Sequence, residues 1–520
     1  MKEKVHELLE KGLLLSPDSV SSFDASQIAT HVSDDMLVVN DDVIALTQDH
    51  RLTDWRAFES ALFEEETLKN GAYASFLEEA RKEQKDKGRV KVIWSEDEKP
   101  KKITVDDFVA YFNKRFELIG GLLKGREELS GARAIARVVS KTARETVTII
   151  GCVIDKAETK NKNFILTVED QSGKMNVLVT PQKSEAYALA KDIVLDDILG
   201  IIGMSGNRII FADSIVLPNI PHGREMKKAP DDAYAVFTGD IHIGSTAFLE
   251  EDFQRFISWI RGTSGTAKQR EIAKKTKYLF LVGDLVDGIG VYPGQEEELT
   301  IFEIKKQYEK LAEHLRKIPS HIQIIICPGN HDAGRISEPQ LPLYTDFASD
   351  LWAFPNVCMV SNPSYVNIHA SENFSGIDVL LYHGFSFPYY ADNVPSIKNA
   401  GGIKRPDLIM RFLLQRRHLA PTHTSNMYIP FAHKDPLVIS RIPDLFVSGH
   451  IHGIAVASYR GVTLINSSCW TKITEYQEKR GIRPQPGRVP VVNLQTREVK
   501  VLNFLKEGAD GSVEADAGVL

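Results

Sequence analysis

Five short polar clusters stand between residues 239 and 452, and their side chains are of the kinds that hold divalent cations. They are Gly239-Asp240-Ile241-His242, Gly283-Asp284-Leu285-Val286-Asp287, Gly329-Asn330-His331-Asp332, Tyr382-His383-Gly384 and Gly449-His450-Ile451-His452. Asp240 and His242 are two residues apart, so on an extended segment both would point to the same side, and His450 and His452 repeat that spacing. Asp284 offers two carboxylate oxygens and can bridge two cations. Asn330 adds a neutral amide oxygen and His383 a further imidazole. Such a mixed set suits manganese, iron or zinc and lacks the thiolates of a structural zinc site. One such cluster alone is an ordinary turn or a buried structural histidine; five in order, each at the end of an apolar run, point to a metal site.

The apolar runs that must position these clusters cover 234–238, 278–282, 322–327, 379–382 and 445–448, and helical stretches alternate with them. That order predicts a layered α/β domain over 223–505 with its site at the strand ends. Upstream, 103–222 reads as a helix (104–126) followed by an OB-type barrel. Its strands are expected at 147–153, 164–168 and 175–179, then a helix at 186–193, then two strands flanking Ser205-Gly206-Asn207. Residues 76–102, charge-rich over 81–102, read as a solvated linker, 1–75 as a small helical domain, and 506–520 as a flexible acidic tail.

The 520 residues carry a net charge of −7, so there is no global basic footprint and any nucleic-acid contact must be local. The four cysteines (Cys152, Cys327, Cys358 and Cys469) form no Cys-x-x-Cys pair, which fits a reducing compartment. The first residues lack the apolar core of a signal peptide, and no apolar run reaches the roughly 18 residues a membrane span needs. A cytoplasmic protein without a membrane partner is expected.

The five clusters resemble those of the calcineurin-like metallophosphoesterase superfamily, over about 232–501. The resemblance implies two packed sheets flanked by helices and two divalent ions, with Mn²⁺ first and Mg²⁺, Fe or Zn as alternatives. One ion would be held by Asp240, His242 and His452, the other by Asn330, His383 and His450, with Asp284 between them. His331 stands at the position of the catalytic histidine, and Asp332 would orient it. Asp287 and His433 have no ligand role in that pattern and read as structural.

More specific strings flank the clusters: GNHDAGRISEPQLPL (329–343), HLAPTH (418–423), DPLVI (435–439), PDLFVSGHIHG (443–453) and NSSCWTKITEYQEKRGIRPQPGRVPVVNL (466–494). They resemble the small subunit of archaeal family-D DNA polymerase. This implies a 3′→5′ proofreading exonuclease that acts on a single-stranded or mismatched DNA 3′ end. It also implies binding to the large catalytic subunit; the use of the N-terminal helical domain is not legible, recruitment of other replication proteins being one role it could take. The barrel, which carries Lys156, Lys160, Lys162 and Arg208 but few aromatics, is expected to pack against the phosphoesterase rather than to bind DNA. Lys404, Arg405, Arg411, Arg416 and Arg417 read equally as a contact for DNA or the large subunit and as a solvated face. The segment Phe385-Ser386-Phe387-Pro388-Tyr389-Tyr390 reads as a packed loop, with base stacking as the alternative.

Overall fold

The computed structural model describes residues 88–98, 102–140, 144–474, 477–478 and 483–506, together with the paired two-residue strands Leu14–Leu15 and Val38–Val39. Apart from those two short strands, the helical domain expected over 1–75 lies outside these residues, as do the linker up to residue 87 and the tail from 507. The chain divides into two compact units, Met1–Asp86 and Lys87–Leu520.

Two six-stranded sheets face each other in the region of the clusters. The first runs in the order Val357–Met359, Gln323–Cys327, Thr276–Val282, Tyr234–Thr238, Arg488–Asn493, Val499–Asn503. Its first four strands are parallel, Arg488–Asn493 pairs antiparallel with Tyr234–Thr238, and Val499–Asn503 pairs antiparallel with Arg488–Asn493. The second sheet runs Ala455–Tyr459, Val462–Asn466, Leu445–Ser448, Ile377–Leu381, Ser364–Ile368, Val90–Ser95. The central strands are continuous apolar runs because they are covered on both faces. Alternation sorts their side chains. Phe237, Phe280 and Ile325 point inward to meet Val379, Leu381 and Val447 of the other sheet. Val236, Leu279, Leu281 and Ile324 point outward to the helices Glu250–Ile260 and Ile304–Leu315, through Phe253, Phe256 and Leu311. The helix Pro406–Arg416 and the segment Phe387–Asn393 cover the second sheet in the same way.

Five strands upstream, Thr146–Glu158, Phe164–Asp170, Gly173–Val179, Ile198–Ser205 and Ile209–Val216, close into a barrel. The helix Ser184–Lys191 lies between the third and fourth, as expected of an OB-type fold. The preceding helix, Val105–Lys124, starts at a capping box formed by Thr104 and Asp107. Its buried face, Tyr111, Arg115, Ile119 and Leu123, joins the barrel to the two-sheet region. Arg115 Nε donates to Asp435 Oδ2 at 2.7 Å, the Tyr111 hydroxyl donates to Asp435 Oδ1 at 2.7 Å, and His418 Nε2 lies 3.0 Å from Asp435 Oδ2. Burial alone would raise the Asp435 carboxyl, but Arg115 and His418 hold it well below the usual carboxylate range.

Two expectations change. The segment read as a linker contains the strand Val90–Ser95, paired antiparallel with Ser364–Ile368 at the edge of the second sheet. An edge strand buries little, so the lysines and acids around it masked the alternation of Val90, Val92 and Trp94. The basic group over 404–417 is also divided. Arg416 is buried and pairs with Asp197 at 3.1 Å, and it donates to the Asp192 carbonyl at 2.7 Å. Arg417 is buried on the carbonyls of Ile439 and Ser440. Both therefore serve internal packing rather than DNA or a solvated face. No helix among the described residues is long and apolar enough to cross a membrane, and all four cysteines are free thiols.

Candidate metal centre

Each polar cluster follows a strand within a residue, and in three of them a sharp backbone turn carries the side chains toward a common point. Asp240, His242, Asp284, His450 and His452 all have positive φ, from 48° to 69°. The two Asp/His-x-His pairs are therefore not extended segments. Alternate residues in the left-handed region, rare outside glycine, throw both side chains to one side. Gly283, with φ of 78°, is required by close approach as well: a Cβ there would stand 2.4 Å from His383 Nδ1.

The expected ligands form two groups. Asp240, His242 and His452 present ligand atoms within 4.8 Å of one another, as do Asp284, His383 and His450. His242 Nε2 lies 3.2 Å from His452 Nε2, and His452 Nε2 lies 3.4 Å from Asp240 Oδ1. Asn330 Oδ1 lies 3.2 Å from His383 Nε2 in the second group. Asp284 Oδ2 stands 3.2 Å from His383 Nε2 and 3.9 Å from His242 Nε2, so one oxygen lies between the groups.

The back atoms of the rings show that this set fits cations. His383 Nδ1 meets the Val282 carbonyl at 2.9 Å, and His242 Nδ1 meets Asp287 Oδ1 at 3.0 Å. With Nδ1–H donating to those acceptors, each Nε2 turns a lone pair into its group, as a metal ligand must. His452 Nδ1 faces the Gln477 amide at 2.9 Å, whose two ends are interchangeable as donor and acceptor. The electrostatics agree. Burial disfavours the charged Asp284, yet His383, His331 and His242 hold its carboxyl well below the usual range. Burial disfavours protonated His383 too, but Asp284 pushes it up to about 9. A proton on His383 Nε2 thus supplies the positive charge that Asp284 demands, and a cation would replace that proton and take up the Nε2 lone pair. His450 is pushed down to about 3 by burial and by His383.

His331 borders the same cavity, its ring 4.6 Å from that of His242. Its main-chain N–H donates to Asp284 Oδ1 at 2.8 Å, and its Nδ1 meets the Asp287 carbonyl at 2.8 Å. Asp332, expected to orient it, does something else. Its carboxylate accepts from the main-chain N–H of Gly329 and Leu285 and from the Tyr308 hydroxyl, and so ties together the loops that carry Asn330 and Asp284. Burial and the nearby Asp284 push its carboxyl up to about 7. Asp287, read as structural, holds His242 with its carboxylate and His331 with its carbonyl, and the buried Gln295 amide fixes it in turn. His433 lies on the surface, 3.6 Å from Glu98, away from the site.

Several positioning residues were not anticipated. Gln340 Nε2 donates to the Gly329 carbonyl at 2.9 Å, and Asn362 Oδ1 accepts from His383 N at 2.8 Å. Glu338 takes hydrogen bonds from Tyr382 and Asn426 beneath them. Only the string GNHDAGRISEPQLPL hinted at the first and last of these, through its resemblance and not through its chemistry.

The cavity over the site measures about 510 Å³. His242, Asp284, Asn330, His331, His450 and His452 form its polar floor, while Asp240 and His383 lie buried behind. Its walls include Tyr292, Phe385 and Ile403. Phe387 and Tyr390 are core residues, so the aromatic segment after His383 is mainly packed, as expected, but Phe385 faces the cavity.

This fold and donor set define a calcineurin-like phosphoesterase, and residues 234–453 match that family. Relatives are more specific. The DNA polymerase II small subunit of Methanothermobacter thermautotrophicus is 39% identical over 400 residues, which is 77% of this chain and 80% of that one. That of Archaeoglobus fulgidus is 38% identical over 389 residues, 74% and 75% of the two chains. That of Methanocaldococcus jannaschii is 37% identical over 394 residues, 75% of this chain and 64% of the longer relative. The chain belongs to the family of archaeal DNA polymerase II small subunits.

Proposed function

We propose that this chain is the proofreading subunit of a two-subunit replicative DNA polymerase in the cytoplasm. It removes nucleotides from the 3′ end of single-stranded or mismatched DNA with two divalent ions, Mn²⁺ first among them, and it binds the large catalytic subunit. The observation that carries this reading is the complete donor set: every expected ligand offers a competent atom to one of the two groups or to the space between them. A pair of bound cations supplies charge neutralisation at the phosphodiester and a lowered pKa for water. Asp240, His242 and His452 would hold one cation and Asn330, His383 and His450 the other, with Asp284 between.

The residues of the chain do the rest. His331, its Nδ1 held by the Asp287 carbonyl, keeps Nε2 for the substrate, where it protonates the departing 3′ oxygen of the shortened strand. The burial of Asp240 and His383 excludes water from behind the site.

The test is a purified chain, stripped of metal and reloaded with Mn²⁺, acting on 5′-labelled single-stranded and mismatched primers. A ladder shortening from the 3′ end is expected. Asp240→Ala should abolish it, and His331→Ala should lower it about 10²–10⁴-fold, while both variants still co-purify with the large subunit. Wild-type rates in both variants would refute the assignment.

A further inference from the structure

Two aromatic rings face the cavity, one beside a ligand group and one beside His331. The Phe385 ring lies 5.6 Å from the His450 ring, beside the group that contains Asn330 and His383. The Tyr292 ring lies 6.2 Å from the His331 ring, beside the residue that protonates the leaving oxygen. Both rings are half-buried, with one part packed and one part open to the cavity. Phe385 is set apart from its neighbours Phe387 and Tyr390, whose side chains are fully used in the core. Tyr292 is pinned through its hydroxyl, which donates to Glu298 Oε2 at 2.9 Å, so its ring is held in place. Among the described residues the cavity lining contains no lysine or arginine, and Tyr292, Phe385 and Ile403 give its walls apolar surface to offer a nucleotide.

We propose that Phe385 and Tyr292 are nucleobase platforms on the two sides of the scissile phosphate, Phe385 for the nucleotide being released and Tyr292 for the one that becomes the new 3′ end. This rests on the exonuclease reading above and adds to it a division of the cavity. Hydrolysis joins a water oxygen to phosphorus and breaks the bond to the 3′ oxygen, which takes the proton from His331, while the water's proton passes to solvent. The sugar that keeps that oxygen must therefore lie at His331, and its base lies within reach of Tyr292. The released 5′-phosphate nucleotide stays on the far side of phosphorus, toward His450, where Phe385 meets its base. Stacking works with any base, which suits an enzyme that must remove all four.

The experiment uses the full chain with Mn²⁺ and single-stranded oligonucleotides that are intact, abasic at the terminal nucleotide, or abasic at the penultimate one. On intact DNA, Phe385→Ala should raise KM by about 5- to 150-fold, the range that a lost base–aromatic stack gives. That penalty should vanish on the terminal-abasic substrate and persist on the penultimate-abasic one. Tyr292→Ala should show the reverse pattern. Phe385→Trp should restore the low KM, whereas Phe385→Leu, which keeps apolar bulk without an aromatic face, should not. A Phe385→Ala penalty that is unchanged on the terminal-abasic strand overturns the proposal while leaving the exonuclease reading intact. Hydrolysis of an aryl phosphodiester by the wild-type chain with no shortening of any oligonucleotide overturns both.

Discussion

At Asp287 the carboxylate oxygen Oδ1 stands 3.0 Å from His242 Nδ1, while the main-chain oxygen stands 2.8 Å from His331 Nδ1. A side-chain substitution removes the first contact and keeps the second. Asp287→Ala should weaken Mn²⁺ affinity by about 10–100-fold, the usual effect of losing a partner behind a ligating histidine. At saturating Mn²⁺ its kcat should return to within a few-fold of wild type, because the acceptor for His331 is untouched. Calorimetric titration alongside kinetics checks this; normal affinity with a kcat that stays low would place the effect on His331 instead.

Among the elements, the helix Val105–Lys124 depends on one buried ion pair, since Arg115 and Asp435 are both almost fully inaccessible. Asp435→Ala strands a buried guanidinium and should cost about 3–5 kcal/mol in denaturant unfolding. An Arg115→Met, Asp435→Leu double variant should regain part of that, because the charge no longer needs a partner. The loop around Glu338 predicts a pH effect. Burial pushes the Glu338 carboxyl up to about 8, although Tyr382 and Asn426 donate to it. The folded form thus holds a proton that the unfolded form releases near its ordinary value of about 4.3. Its stabilising contribution is complete below that value and is lost as pH rises through about 8. Glu338→Gln, which imitates the protonated acid, should gain stability relative to wild type as pH climbs across this window, measured by melting at saturating metal. A difference independent of pH would mean that Glu338 is ionised in the fold.

Strand ends and the side chains gathered at the site were legible in the sequence because one local pattern, an apolar run followed by a polar cluster, encodes both. The strands Tyr234–Thr238 and Leu445–Ser448 fall where that pattern places them. Residues that work at a distance left no such trace. Asn362 reaches His383 across 21 positions, and Asp435 reaches Arg115 across 320. Nothing near an asparagine or an aspartate in the chain reveals such a partner. Asp332 was misassigned for a related reason: adjacency to His331 suggested a contact, but consecutive side chains leave the backbone in different directions, and this one turns to Tyr308.

At the scale of the whole molecule, the strand Val90–Ser95 caps the second sheet, and its continuation is tied down as well. Glu96 N donates to Ser361 Oγ at 2.7 Å, and Lys434 Nζ pairs with Glu96 Oε2 at 2.9 Å. The gene boundary chosen for a shortened protein therefore matters by a few residues. Translation started at Lys87 keeps the seam closed. Translation started at Lys102, just before the helix, would leave the backbone of Ser364–Ile368 bare along one side, a template for pairing with another copy. Light scattering should find the shorter product self-associating and the longer one dispersed.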